Sequence, residues 1–163
     1  MIKKKVADAL NEQINKELYS SYLYLAMAAY CHGEGLSGMA HWLEVQAEEE
    51  RGHAMKIYRY LVSQNAPVRL AAIGAPPADF GSPRRVFEEV LAHEQTVTAS
   101  IHQLVELAVK ESDYATQGFL GWFVSEQIEE EATAHEIAGR FKLIGSDSRG
   151  LYWLDRELGQ RGR

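Results

Sequence analysis

Apolar residues recur at three- and four-residue steps through four stretches of the chain, roughly 5–33, 38–65, 84–111 and 114–144. That is the period of long helices that each bury one face. The boundaries carry matching signals. Gly33 and Gly35 end the first stretch, Ser37 is placed to cap the second, and Ser82-Pro83 opens the third. Ser112-Asp113 separates the last pair, and Gly145 closes the fourth. These are residues that favour caps, helix starts or left-handed turns. All four prolines fall within 66–83, which marks 66–82 as a long connection. A shorter apolar-rich stretch near 149–160 predicts a fifth helix.

The connections fix the topology. Three or four residues join only antiparallel neighbours, whereas the 17 residues of 66–82 span up to about 55 Å when extended. A 28-residue helix is about 42 Å long. The middle link therefore returns along the whole bundle and leaves the second and third helices parallel. The expected fold is an all-α four-helix bundle with one long crossover between helices two and three, plus a short C-terminal fifth helix. The expected organisation is one domain over residues 1–163, with the bundle at 5–144.

Polar residues interrupt the apolar stripes midway. The second helix reads Met39, Leu43, Ala47, Glu50, His53, Ile57, Leu61, and the third Phe87, Val90, Glu94, Val97, Ile101, Leu104. On the first, Glu17 lies in line with Leu10, Tyr24 and Ala28; on the fourth, Gln127 and Glu130 lie in line with Phe123, Ala134, Ile137 and Phe141. Counting from the turn at 35, Glu17 is 18 residues back, Glu50 is 15 forward and His53 is 18 forward. From the turn at 112, Glu94 is 18 back, Gln127 is 15 forward and Glu130 is 18 forward. Equal counts from a turn mean equal height, so the six share one level. They also repeat with an offset of 77.

Carboxylates converging in an apolar core repel one another and lose hydration worth several kcal/mol each. No Lys or Arg lies on the inward stripes near that level. A bound metal is the better counter-charge, and carboxylates with one imidazole suit Fe(II), Mn(II) or Zn(II). The competing reading is a few buried acids neutralised by protonation and hydrogen bonds.

Composition narrows the classes. At 163 residues and 46% hydrophobic content the chain can build a core. Net charge is −6, with acids bunched at Glu48-Glu49-Glu50 and Glu129-Glu130-Glu131, which argues against a nucleic-acid surface and for cation partners. Cys31 is the only cysteine, so the expectation is a reducing, cytoplasmic location. The longest nearly unbroken apolar run, 22–31, is about half of what a bilayer needs, so no membrane segment is expected.

Glu17, Glu50-x-x-His53, Glu94 and Gln127-x-x-Glu130 together resemble the bacterial non-haem ferritins, over essentially the whole chain. The resemblance implies a di-iron ferroxidase centre, with one iron on Glu17, Glu50 and His53 and another on Glu50, Glu94 and Glu130. Gln127 would stand near the bound oxidant. A third iron would map onto Glu49, Glu126, Glu129 and Glu130. Tyr24 and Trp122 match aromatics that supply electrons in similar ferritins, with core packing as their plainer role. Haem-binding relatives use a methionine at the place matched by Gly52, and Met55 is displaced from it, so no haem is expected. The resemblance further implies a hollow shell of 24 subunits that stores ferric mineral, using O2 or H2O2 as oxidant. The alternatives are a di-iron oxidase or peroxidase that stores nothing, and a catalytically inactive iron-binding shell protein.

Overall fold

The computed structural model describes residues 2–162. It contains five helices: α1 Lys4–Gly33, α2 Ser37–Ser63, α3 Pro83–Lys110, α4 Tyr114–Ile144 and α5 Ser148–Leu158. The four long segments and the short fifth one match the periodicity closely, with α2 ending two residues early. Gln64–Ser82 forms the crossover.

Hydrogen bonds between helices give the directions. Along α1, Gln13 and Ser20 meet Ser100 and His93 on α3, so numbers rise on one helix as they fall on the other. Ser21 of α1 donates to the Ala47 carbonyl of α2 while Glu17 faces His53, again antiparallel. With α1 opposed to both, α2 and α3 run parallel, as the crossover length requires.

The core forms two apolar clusters. One holds Tyr24, Met27, Met39, Leu43, Phe87, Phe141 and the α5 residues Leu154 and Leu158. The other holds Leu10, Ile14, Ile57, Leu61, Ile101, Leu120 and Phe123. Every residue assigned above to an inward stripe is buried, including the six polar ones. The polar level therefore lies where the two clusters part.

Three helix ends follow their sequence signals. The hydroxyl of Ser82 accepts from the Arg85 N–H with Pro83 in the first turn, Asp113 caps α4 through the Thr116 N–H, and Gly145 ends α4 at φ 63°. At the start of α2 the expected cap differs. Ser37 is already helical and Leu36 precedes it without a side-chain bond. The orphan Met39 N–H instead donates to the Asp155 carboxylate of α5 at 2.8 Å. A carboxylate delivered from another helix satisfies the same N-terminal group that a local serine would, with a full charge at the positive end of the helix dipole.

Candidate metal centre

Four helices each contribute one or two side chains to a single buried layer. Glu17 of α1, Glu50 and His53 of α2, Glu94 of α3, and Gln127 and Glu130 of α4 are all less than a tenth exposed. On α2 the Glu-x-x-His spacing puts both ligands on one face, one turn apart. His53 Nδ1 lies 3.5 Å from Glu50 Oε2 and 3.9 Å from Glu17 Oε2. These three ligand atoms stand within metal-binding reach of one another. Ligand atoms about 2.1 Å from one ion are roughly 3 to 4 Å apart, so the spacing fits a first-row divalent cation.

The donor chemistry fits as well. Glu17 Oε2 and Glu50 Oε2 are buried and have no hydrogen-bond partner. An unpartnered buried carboxylate oxygen costs about 1–3 kcal/mol or more, so two of them facing one imidazole nitrogen are explained by a cation between them.

The remaining oxygens are held by neutral donors. Gln13 Nε2 donates to Glu17 Oε1 at 2.8 Å. Gln46 Nε2 donates to Glu50 Oε1 at 3.0 Å and to Glu130 Oε2 at 2.8 Å. The Tyr24 hydroxyl donates to Glu94 Oε1, and Gln127 Nε2 donates to Glu94 Oε2 at 3.2 Å. Neither Gln13 nor Gln46 was singled out from the sequence, yet a signal was present. Each stands four residues before a ligand glutamate, where side chains on a helix face meet.

Without a cation the layer resists ionisation. Burial, then the charge of Glu50, pushes the Glu17 carboxyl well above the usual carboxylate range. Burial and Glu94 do the same to Glu50. Glu94 is raised by burial, against the opposing bonds from Tyr24 and Gln127. Glu130 is pushed up to about 7 by burial and the Glu94 charge. The Tyr24 phenol is raised by burial and by Glu94, so it stays a donor.

The outer acids are gathered less completely. Glu126 Oε1 stands 3.9 Å from His53 Nε2, and Glu126, His53 and Glu130 form a second group with metal-ligand spacing. Glu129 is exposed, and Glu49 is paired with Arg161 through Nη2 at 2.5 Å. Among the described residues, no such group includes Glu49, Glu129 or Glu94.

Trp122 packs edge-on against His53 with ring centroids 5.4 Å apart, and Lys56 Nζ sits 3.9 Å above its ring. His93, given no role from the sequence, is partly buried beside the layer. Its Nε2 lies 2.7 Å from the Ser20 hydroxyl, and its ring meets that of Tyr24 edge-on. The Ser20 hydroxyl donates to the Lys16 carbonyl, so it accepts from His93 Nε2–H. Burial pushes the His93 imidazole down to about 4.

A helical bundle with one crossover and an inward layer of carboxylates and one imidazole, spaced as a candidate metal site, defines the ferritin-like class. Comparison with known proteins agrees. The family signature described as "Ferritin-like domain" matches residues 7–144. A bacterial non-heme ferritin of Bacteroides fragilis (strain 638R) is 44% identical over 161 residues, covering 99% of this chain and 100% of that one. A bacterial non-heme ferritin of Staphylococcus aureus (strain MRSA252) is 42% identical, covering 99% and 97%. A crystal structure of an open pore ferritin from the archaeon Archaeoglobus fulgidus superimposes with a TM-score of 0.98 at 48% identity, covering 99% of both chains. The chain belongs to the ferritin family.

Proposed function

We propose that this chain is a ferritin subunit that binds Fe(II) as substrate in the buried carboxylate layer, oxidises it, and passes it to a stored ferric mineral. The observation that carries the reading is the trio of Glu17 Oε2, Glu50 Oε2 and His53 Nδ1. They gather in the middle of the core, with both oxygens otherwise unpartnered. The first iron takes these three residues. The second takes Glu50, Glu94 and Glu130, with Glu50 shared.

The chemistry follows from the layer. Binding two Fe(II) ions displaces protons from carboxyls that burial keeps protonated, and the resulting negative charge favours the Fe(III) product. Each iron gives one electron. The pair reduces O2 with two protons to H2O2, or reduces H2O2 with two protons to two waters. Gln127, held against Glu94, would stand near the bound oxidant, as the family resemblance implies. Tyr24, bonded to Glu94, and Trp122, against His53, are positioned to supply further electrons. Outer acids Glu49, Glu126, Glu129 and Glu130 form a weaker third iron position, reached only once Glu49 leaves Arg161, and Glu48 is an acid available to receive ferric ion outside the bundle.

The wider reading is a homo-oligomeric shell of 24 subunits, carrying no haem and located in the cytoplasm. Among the described residues, no helix is long and apolar enough to cross a membrane. Exposed apolar side chains on α4 and α5 supply surface for contacts between subunits.

Aerobic addition of Fe(II) to metal-free protein, following Fe(III) absorbance and particle size, tests the proposal against a Glu50→Ala, Glu130→Ala variant. Oxidation slowed by about an order of magnitude or more in the variant is the expected result. Equal rates in both proteins would reject the buried layer as the oxidation centre. Fast oxidation without retained mineral would leave an oxidase that does not store iron.

A further inference from the structure

One guanidinium reaches the inner acids from outside the bundle. Arg161 follows the end of α5, and its guanidinium lies 4.4 Å over the Trp42 ring. Its Nη1 donates to Gln46 Oε1 at 2.8 Å and to the Trp42 carbonyl at 3.4 Å, while Nη2 donates to Glu49 Oε2 at 2.5 Å. The Arg161 carbonyl accepts from His41 Nε2 at 2.9 Å, which fixes the backbone at the same place.

This geometry dictates how Gln46 is turned. A guanidinium has only donors, so the Gln46 carbonyl must face it and the amide group must point away. The amide then meets Glu50 Oε1 and Glu130 Oε2, one hydrogen for each carboxylate. Reversing the amide would set N–H against N–H and leave two buried carboxylates facing a carbonyl oxygen. One arginine therefore acts on three acids, directly on Glu49 and through Gln46 on Glu50 and Glu130.

We propose that Arg161 is a positioning residue that withholds Glu49 from metal and locks Gln46 onto the central carboxylates, confining tightly bound cations to the bundle centre. A cation using Glu49 must first displace a charge-assisted bond from a fixed positive group, which weakens it roughly tenfold or more. The proposal rests on the reading of the buried layer as the metal centre. Its Glu49 arm is measurable with a metal alone.

The test counts Co(II) bound per subunit in metal-free protein without oxygen, from the visible absorbance of bound cobalt. Wild type is compared with Arg161→Gln, Arg161→Ala, Arg161→Lys, Glu49→Gln, the Arg161→Ala, Glu49→Gln double variant, and Glu50→Ala. Arg161→Gln keeps most of the side-chain stem, so the comparison stands if the alanine variant assembles poorly. Both neutral variants are expected to bind about one further Co(II) per subunit, or to bind the outer ion roughly tenfold tighter. The Arg161→Lys variant should stay near wild type, and the double variant should lose the gain. Wild-type counts in both neutral variants, or a gain that survives in the double variant, would overturn the proposal. Glu50→Ala separates the two readings. If it binds as much Co(II) as wild type, the central site fails while the Arg161 and Glu49 comparison still gives its own answer.

Discussion

Glu130 shows what a carboxyl buried in the polar layer costs the fold when no cation accompanies it. Its carboxyl ordinarily titrates at 4.5 and is pushed up to about 7 in the fold. Between those values the folded chain keeps a proton that the unfolded chain has released. Stability is therefore fully present below pH 4.5, declines as pH rises, and is lost above about pH 7, by roughly 3 kcal/mol from this group. Glu17, Glu50 and Glu94 are shifted in the same direction and deepen the decline. The melting temperature of metal-free protein should fall steadily from pH 5 to pH 8, and Zn(II) or anaerobic Fe(II) should recover it at the upper end. A flat profile would mean that the layer is hydrated or already compensated. Glu50→Gln should behave in the opposite sense at pH 8. With no carboxyl that must be either ionised or held protonated in the core, the metal-free variant should melt higher, by the equivalent of about 1–3 kcal/mol, while losing central metal. Calorimetry with and without Zn(II) reads both effects.

At the scale of elements, α5 is held by contacts that leave no spare room. A Cβ on Gly38 of α2 would fall 1.8 Å from the Asp155 carbonyl oxygen, and one on Gly159 would fall 3.1 Å from the Gly38 Cα. Backbone meets backbone there, so nothing flexible can give way. Gly38→Ala should unseat α5, break the bond from Met39 N–H to Asp155, and cost about 2–4 kcal/mol. Asp155→Ala, which removes only the cap, should cost about 1 kcal/mol. Equal melting temperatures for Gly38→Ala and wild type would contradict this packing. The same junction shows what could be read from the chain and what could not. The apolar period and the punctuation at Gly35, Ser82, Asp113 and Gly145 are local, so the five helices and their order were legible. Equal counts from the two turns placed the six buried polar residues at one level, because helical rise is constant. Asp155 as the cap of α2 and Arg161 as the partner of Gln46 depend on where α5 returns to the bundle, and no local pattern specifies that. Gln13 and Gln46 lie between these cases, visible as a repeated spacing before Glu17 and Glu50 but meaningful only once those glutamates are known to be buried.

At the scale of the whole molecule, the two faces of α5 do different work. Leu154 and Leu158 close the apolar cluster beside the carboxylate layer, while Tyr152 and Trp153 point outward, 55% and 68% exposed. Leu143, near the end of α4, is 89% exposed. Large apolar groups gathered at one end of a subunit mark a contact surface. Under the shell reading they are covered by other copies of the chain. The inward leucines hold α5 to its own subunit, and the outward aromatics meet the neighbours. A charge placed on the outward face should then weaken assembly and spare the centre, because burying an unpaired carboxylate between subunits costs several kcal/mol while the carboxylate layer lies inside one bundle. Trp153→Glu and Leu143→Glu should shift the population from large shells to small oligomers or single subunits in sedimentation velocity. Helical content and the Co(II) count per subunit should remain near wild type. Oxidation of Fe(II) should persist in these variants, with the ferric product precipitating instead of remaining soluble inside a particle. Unchanged sedimentation would assign this apolar end to something other than assembly. Loss of metal binding together with the shell would mean that the centre needs neighbouring subunits to form, and that the separation between an intramolecular oxidation site and an intermolecular storage cavity does not hold.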